Sequence, residues 1–229
     1  MKYSISIITH SALSQAKRCI DSVLSNSDGE DFELILTANA NPAALKYFSH
    51  IATLFPSTQV VNNPTNMGFI EPSNNALTLA SGTYFVALND DCTVPGRWLE
   101  RLEKPFLDDP RCAISGARGG CCTLDDNFIG HKGATVDFIE ASCLMIRTDL
   151  ALKYGLFDEE LKVGYAEDAD LSLRYRSLGY HIAQADFVLE NHVAGTTSAT
   201  VPGLNKIMQA NFALCRRRWA TYLKTRKFA

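Results

Sequence analysis

Short apolar runs alternate with stretches of helical spacing through the first half of the chain, and this alternation constrains the fold more than any other feature. Ile5 to Thr9 reads as a strand, after which Leu13, Ala16, Ile20, Val23 and Leu24 recur at helical intervals. Phe32 to Thr37 reads as a second strand and Pro42 to Leu54 as a helix. Val60-Val61 forms a short third strand, followed by a helix around Ser73 to Ala80 that stops at Ser81-Gly82. Tyr84 to Leu88 is continuously apolar, as a strand covered on both faces requires. This βαβα order predicts an α/β fold with a doubly wound, mostly parallel sheet. Such sheets bind ligands beyond the carboxyl ends of their strands. Three polar groups fall there: Thr9-His10-Ser11, Asn39-Ala40-Asn41 and Asn89-Asp90-Asp91.

Composition narrows the class. A chain of 229 residues buries one good core. With 46% hydrophobic and 21% charged residues it is expected to be ordered. A net charge of -3 argues against a general nucleic-acid binder. The apolar part of the N-terminal segment is too short for a signal peptide, and no apolar run approaches the roughly 20 residues of a membrane span. The seven cysteines lack paired metal-site spacing and read as reduced thiols of a cytoplasmic protein.

The second half changes character. Arg118-Gly119-Gly120 and Asp125-Asp126-Asn127 read as loop, and Thr135 to Ile146 as a region holding strands. Glu167 to Leu178 is an expected helix and His181 to Ala185 a strand after the Gly179 stop. Gly195 to Gly203 is small and polar, a mobile-loop composition. From Leu204 onward the tail reads as a basic helix.

Two acidic clusters and one histidine carry chemistry. Asn89-Asp90-Asp91 places two carboxylates at the end of a buried strand, where they repel each other and lose hydration. A divalent cation offsets both penalties, since Mg²⁺ and Mn²⁺ take carboxylate and phosphate oxygens. A turn with capping aspartates before Pro95 is the alternative. In the second cluster, Glu167, Asp168 and Asp170 suit the first turn of a helix, and Asp170 and Arg174 stand at ion-pair spacing. That structural role does not need all three acids, so one carboxylate is available as a base. His192 becomes a Mn²⁺ ligand only if it reaches Asp91.

Taken together, these segments resemble the family-2 glycosyltransferases of the GT-A fold, with rhamnosyltransferase-like members nearest. The resemblance runs from Ser4 to His192. Its ordered pieces are Ile5-Ser6-Ile7-Ile8-Thr9-His10, Lys17 to Leu24, Asn66-Met67-Gly68-Phe69 with Asn74-Asn75, and Asn89-Asp90-Asp91 with Trp98-Leu99. They continue with Ala141 to Arg147, Gly155-Leu156-Phe157-Asp158-Glu159, and Glu167-Asp168-Ala169-Asp170-Leu171 with Arg174 and Gly179-Tyr180.

The resemblance implies roles. Asn89-Asp90-Asp91 occupies the family's DxD position, with Asp91 on the metal and Asn89 or Asp90 on the ribose or the metal's waters. His192 matches a histidine that binds metal or diphosphate, so Asp91 and His192 form the expected ligand set for Mn²⁺ or Mg²⁺. Asp168 matches the general base, with Glu167 beside it. Thr9, His10, Ser11, Asn39, Asn66, Gly68 and Asn74 fall where the family holds nucleotide and sugar. Gly68 has a physical reason of its own, since a residue without a side chain lets backbone approach a ligand.

The implied activity is inverting transfer of a sugar from a UDP- or dTDP-linked donor to a hydroxyl acceptor, saccharide or lipid-linked, in cell-surface polysaccharide or glycoconjugate synthesis. The implied division is a GT-A domain over 1–203, with donor-binding (1–92) and acceptor-binding (93–203) halves, and a basic helix over 204–229. Three positions depart from the pattern: Ala38 and Asn89 replace usual acids, and Ser11 stands where Asn is common. They motivate an alternative, a homologue that binds a nucleotide-sugar without turnover. A nucleotidyltransferase shares the layered core, but no Gly-rich phosphate loop follows the first strand. The tail Arg216 to Lys224 mixes cations and aromatics; it either packs Trp219 and Leu223 on the domain or rests peripherally on an anionic membrane.

Overall fold

The computed structural model describes residues 1–125, 128–130, 136–190 and 203–225. The expected alternation forms as β1 (Tyr3–Thr9), α1 (Leu13–Asn26), β2 (Phe32–Asn39), α2 (Pro42–Leu54), β3 (Thr58–Asn63), α3 (Ile70–Leu79) and β4 (Tyr84–Asn89). It continues through α4 (Trp98–Asp108), β5 (Cys112–Gly116), β6 (Gly119–Cys122), β7 (Ile129–Gly130), β8 (Phe138–Ile139) and β9 (Cys143–Arg147). The rest is α5 (Thr148–Tyr154), α6 (Glu167–Ser177), β10 (His181–Gln184) and α7 (Leu204–Thr225).

The main sheet has seven strands in the order β10-β5-β9-β4-β1-β2-β3. β1, β2, β3 and β4 pair in parallel, whereas β9 runs antiparallel to both β4 and β5. Side chains alternate between two cores, as strand geometry dictates. Leu34, Leu36, Val86 and Leu88 face α1, α2 and α4, while Ile35, Phe85 and Ala87 face α3, α5, α6 and α7. Both faces are therefore covered, which explains why β2 is buried at every residue.

One expectation fails here. Gly119-Gly120, read as loop, begins β6 of a second, three-stranded sheet ordered β7-β6-β8. Glycine is required for packing at this place: a β-carbon on Gly120 would lie 2.4 Å from the Phe138 ring, and one on Gly119 2.5 Å from Val136. A second correction concerns Asp170 and Arg174. They do not pair; the Arg174 guanidinium donates to the carbonyls of Tyr154, Gly155 and Leu156, and Asp170 turns to α7.

Candidate active site

Parallel register gathers the first polar groups. Ile8 lies opposite Asn89 and Thr9 opposite Ala38, so the ends of β4, β1 and β2 form one edge. Thr9 is buried. The ring Nδ1 of His10 sits 2.7 Å from the carbonyl of Asn39, and the Asn41 amide donates to the carbonyl of His10 at 2.8 Å. Asn41 also caps α2 by accepting from the amide of Ala44. Ser11 is exposed beside them.

Asn39 is oriented away from open space. It is 1% exposed, and its amide donates to Asn66 Oδ1 at 3.0 Å and to the carbonyl of Gly68 at 2.9 Å. Its own oxygen accepts from the amide of Met67. Asn66 Oδ1 in turn accepts from the Gly68 N–H. Asn39 thus shapes the 66–68 turn. Asn74 clips a different segment, donating to the carbonyl of Phe157 and accepting from the Phe157 N–H. Gly68 adopts φ +74°, and a β-carbon there would lie 3.0 Å from the Val163 backbone. The backbone it admits is that of Val163, with the neighbouring Phe69 N–H bonded to the Val163 carbonyl at 2.9 Å.

The acids at the end of β4 stand side by side. Asp90 is buried, and loss of hydration together with the Asp91 charge pushes its carboxyl up to about 7, against the lowering effect of the Thr9 hydroxyl. Asp91 keeps part of its surface open. Two adjacent carboxylates, Asp90 buried and Asp91 partly open, are suited to a hard divalent cation, which relieves their mutual repulsion. Among the described residues no group of three or more His, Cys, Asp or Glu forms a closed metal cage. A cation held by one or two carboxylates would leave positions for phosphate oxygens and water. Thr93 and Glu190 form a two-way backbone bridge that draws the segment ending at residue 190 beside the Asp91 turn. His192 lies outside the described residues.

Glu167 and Asp168 open α6. The helix begins from Ala166 at φ +68° without a side-chain cap, so its first-turn acids face the positive end of the dipole. Glu167 is buried with one carboxylate oxygen lacking a hydrogen-bond partner, and burial followed by the Asp168 charge raises its proton affinity. Asp168 retains partial exposure although protein surrounds it. Burial raises its pKa too, opposed by the N–H groups of Ala169 at 2.8 Å and Ala141 at 3.4 Å.

The two clusters meet at one place. Asp168 accepts from the N–H of Ala141, and the next residue, Ser142, accepts at its carbonyl from the N–H of Asn89 at 2.9 Å. The Cys92 thiol also donates to the Ser142 carbonyl. Consecutive α-carbons are about 3.8 Å apart, so the base candidate and the two residues that bracket Asp90-Asp91 are hydrogen-bonded to a single dipeptide. Sequence reading did not single out Ala141-Ser142 as the joint; short side chains carry no periodic signal.

The segment before α6 is left-handed over Val163, Gly164, Tyr165 and Ala166, with φ of 71°, 152°, 73° and 68°. A non-glycine residue held there costs roughly 1–3 kcal/mol, so surrounding contacts must hold it. They come from Gly68 and Phe69 on one side and α7 on the other. Asn211 donates to the carbonyls of Lys162, Gly164 and Tyr165 at 3.2, 2.9 and 3.2 Å. Arg218 and Trp219 both donate to Asp170 at 2.8 Å. Several tail residues thus have partners in the domain: Trp219 and Leu223 join the core, and Arg216 reaches the carbonyl of Asp125. Among the described residues, no helix is long and apolar enough to cross a membrane.

No curated protein matches the sequence significantly. Solved structures do. The mannosyltransferase PcManGT from Pyrobaculum calidifontis, in complex with GDP-Man and Mn²⁺, is similar with a TM-score of 0.68 at 15% identity, over 100% of this chain and 66% of that one. GalNAc-T7 with UDP, GalNAc and Mn²⁺ gives 0.67 at 15%, over 81% and 42%. TarS residues 1–349 from S. aureus with UDP-GlcNAc gives 0.64 at 16%, over 94% and 66%. This chain therefore spans less than two thirds of the length of each. At these identities the likeness establishes the fold, GT-A. The profile of glycosyl transferase family 2 matches residues 4–159, and the chain belongs to that family.

Proposed function

We propose that the protein is an inverting glycosyltransferase that moves a sugar from a nucleoside-diphosphate donor, UDP- or dTDP-linked, to a hydroxyl of a saccharide or lipid-linked acceptor. The observation that carries this reading is the joint at Ala141-Ser142, which sets Asp168 beside the Asn89-Asp90-Asp91 turn. The solved relatives bound to GDP-Man, UDP and UDP-GlcNAc support a nucleotide-sugar donor, and two of them hold Mn²⁺. Residues 1–92 hold the donor and 93–203 the acceptor. His10, Ser11 and Asn66 line the donor side, with the buried Thr9 and Asn39, and with Gly68 and Asn74, shaping it.

Asp91, with His192, would hold Mn²⁺ or Mg²⁺, which supplies electrostatic stabilisation for the departing diphosphate. Asp168 accepts the acceptor hydroxyl proton as the oxygen forms its bond to the anomeric carbon. The bond from that carbon to the diphosphate oxygen breaks, and its electron pair leaves with the nucleotide. Attack opposite the leaving group inverts the centre. Glu167, the more deeply buried acid, remains protonated longer and limits the negative charge beside Asp168.

Ala38 and Asn89, where the family carries acids, favour a second reading, a donor-binding protein without turnover. A screen of nucleotide-sugars with Mn²⁺ and simple sugar acceptors, reading diphosphate release, separates the two. Release above the metal-free control supports transfer; tight nucleotide binding by calorimetry with no release for any donor would overturn it.

A further inference from the structure

Helix α7 meets the rest of the protein through a stripe at positions 211, 215, 218, 219 and 222, spaced for one helical face. Its polar members bond to the domain, Asn211 buried and Arg218 with part of its side chain open. Asn211 is 5% exposed, and its single amide group reaches three carbonyls of one short segment. Cys215, fully buried, lies 3.8 Å from the carbonyl of Ala166. Arg218 and the Trp219 indole converge on one oxygen of Asp170, and Arg218 also bridges Asp158 and Glu160. Every one of these partners lies between residues 158 and 170, the stretch that contains Glu167-Asp168. A helix serving only to cover apolar surface has no need of a buried amide aimed at left-handed backbone.

We propose that α7 is a positioning element of the active site, in which Asn211 holds the left-handed segment 163–166 and Arg218 with Trp219 holds Asp170, so that together they set the aim of Asp168. This rests on the glycosyltransferase reading above. Asn211 touches no reacting atom; it acts through the backbone that carries the base. Placement errors near 1 Å cost about a hundredfold in rate, which is the scale on which such a brace matters.

The test pairs kinetics with hydrogen exchange of the whole chain. In Asn211→Ala, amides 164–170 are expected to exchange faster while those of β1 and β4 do not change. The kcat is expected to fall about tenfold to hundredfold, with the affinity for UDP or dTDP plus Mn²⁺ held within about twofold. Trp219→Phe, which keeps the ring and removes the N–H, gives a smaller loss in the same direction. Arg217→Ala, exposed on the same helix, gives none. Unchanged exchange at 164–170, or unchanged kcat, overturns the proposal. So does a uniform loss of protection together with nucleotide binding, which would make α7 a general packing element. If the natural chain transfers no sugar, the functional reading fails by itself, and the exchange data still decide whether α7 braces the segment.

Discussion

The two acidic clusters that meet at Ala141-Ser142 are held in opposite ways. Asn89-Asp90-Asp91 ends a strand whose neighbours on both sides fix it by continuous ladders, β1 in parallel and β9 antiparallel. Glu167-Asp168 follows four residues of left-handed backbone and is held by side chains from elsewhere in the chain, Asn211 and Arg218 above all. The first arrangement is rigid because it is regular. The second is rigid only while its braces last. On the proposed function, a diphosphate and its cation would suit the fixed platform, whereas a base serving varied acceptors would suit a segment that can be tuned apart from the sheet.

The largest effect that can break this comparison comes from Asp168→Asn. Loss of a positioned base lowers kcat by about 10²–10⁴-fold. Because the donor platform stands on separate strands, affinity for a nucleoside diphosphate with Mn²⁺, read by calorimetry, is expected to stay unchanged. If the variant loses nucleotide binding as well, the two regions are not separable and the contrast fails.

The same carboxylates give a pH signature that opposes function to stability. With Asp168 as the proposed base, catalysis needs its carboxylate ionised; burial raises it to about 6, so kcat is expected to fall as pH drops through that value. Stability runs the other way. Glu167 and Asp168 both have folded pKa values above their unfolded ones, near 4, so the native state binds more protons between the two values. Their contribution is fully present below the unfolded pKa and is lost as pH rises through the folded pKa values. Metal-free protein is expected to melt at lower temperature at pH 8 than at pH 6, and Asp168→Asn to flatten that slope. A steeper slope in the variant would contradict the assignment.

Gly68→Ala tests the contact between the two regions. The new β-carbon meets Val163 backbone at 3.0 Å from a residue already at φ +74°. Backbone strain of this kind costs about 1–3 kcal/mol, read as a lowered urea midpoint. Since the neighbour that must yield carries the segment before α6, kcat is expected to fall further than the stability change alone explains. Loss of stability with kcat untouched would show that Val163 moves without consequence for Asp168.

This contrast also separates what could be read in the sequence from what could not. β1, β2, β4 and α2 were legible because burial on both faces or on one helical stripe leaves a period in the residues. The end positions Thr9, Asn39 and Asn89 followed from strand order. Resemblance places Asn39 and Asn74 near the donor, but no local pattern shows that their amides hold the 66–68 turn and the Phe157 backbone. Gly119-Gly120 read as loop because two glycines carry no strand propensity, yet the packing of Phe138 against them requires their lack of side chains. Asp170 looked like a partner for Arg174 at the right spacing, but Arg218, 48 residues away, takes it. Contacts across such separations leave no local period.

The smallest effects come from comparing ion pairs in the two regions. Lys104 and Asp108 pair along α4, with side chains 71% and 61% exposed, so water screens them. Lys104→Ala is expected to cost about 0.3 kcal/mol or less. Arg218 is 28% exposed and its partner Asp170 only 1%. Arg218→Gln leaves a carboxylate buried with the Trp219 N–H still attached. That remaining donor and the partial exposure of Arg218 bring the expected loss to about 2 kcal/mol, below the 3–5 kcal/mol of a fully buried pair. Urea midpoints of the two variants measure the difference directly. Equal losses would mean that Asp170 gains water when Arg218 is removed, and then the second region would be held by packing of α7 rather than by its charges.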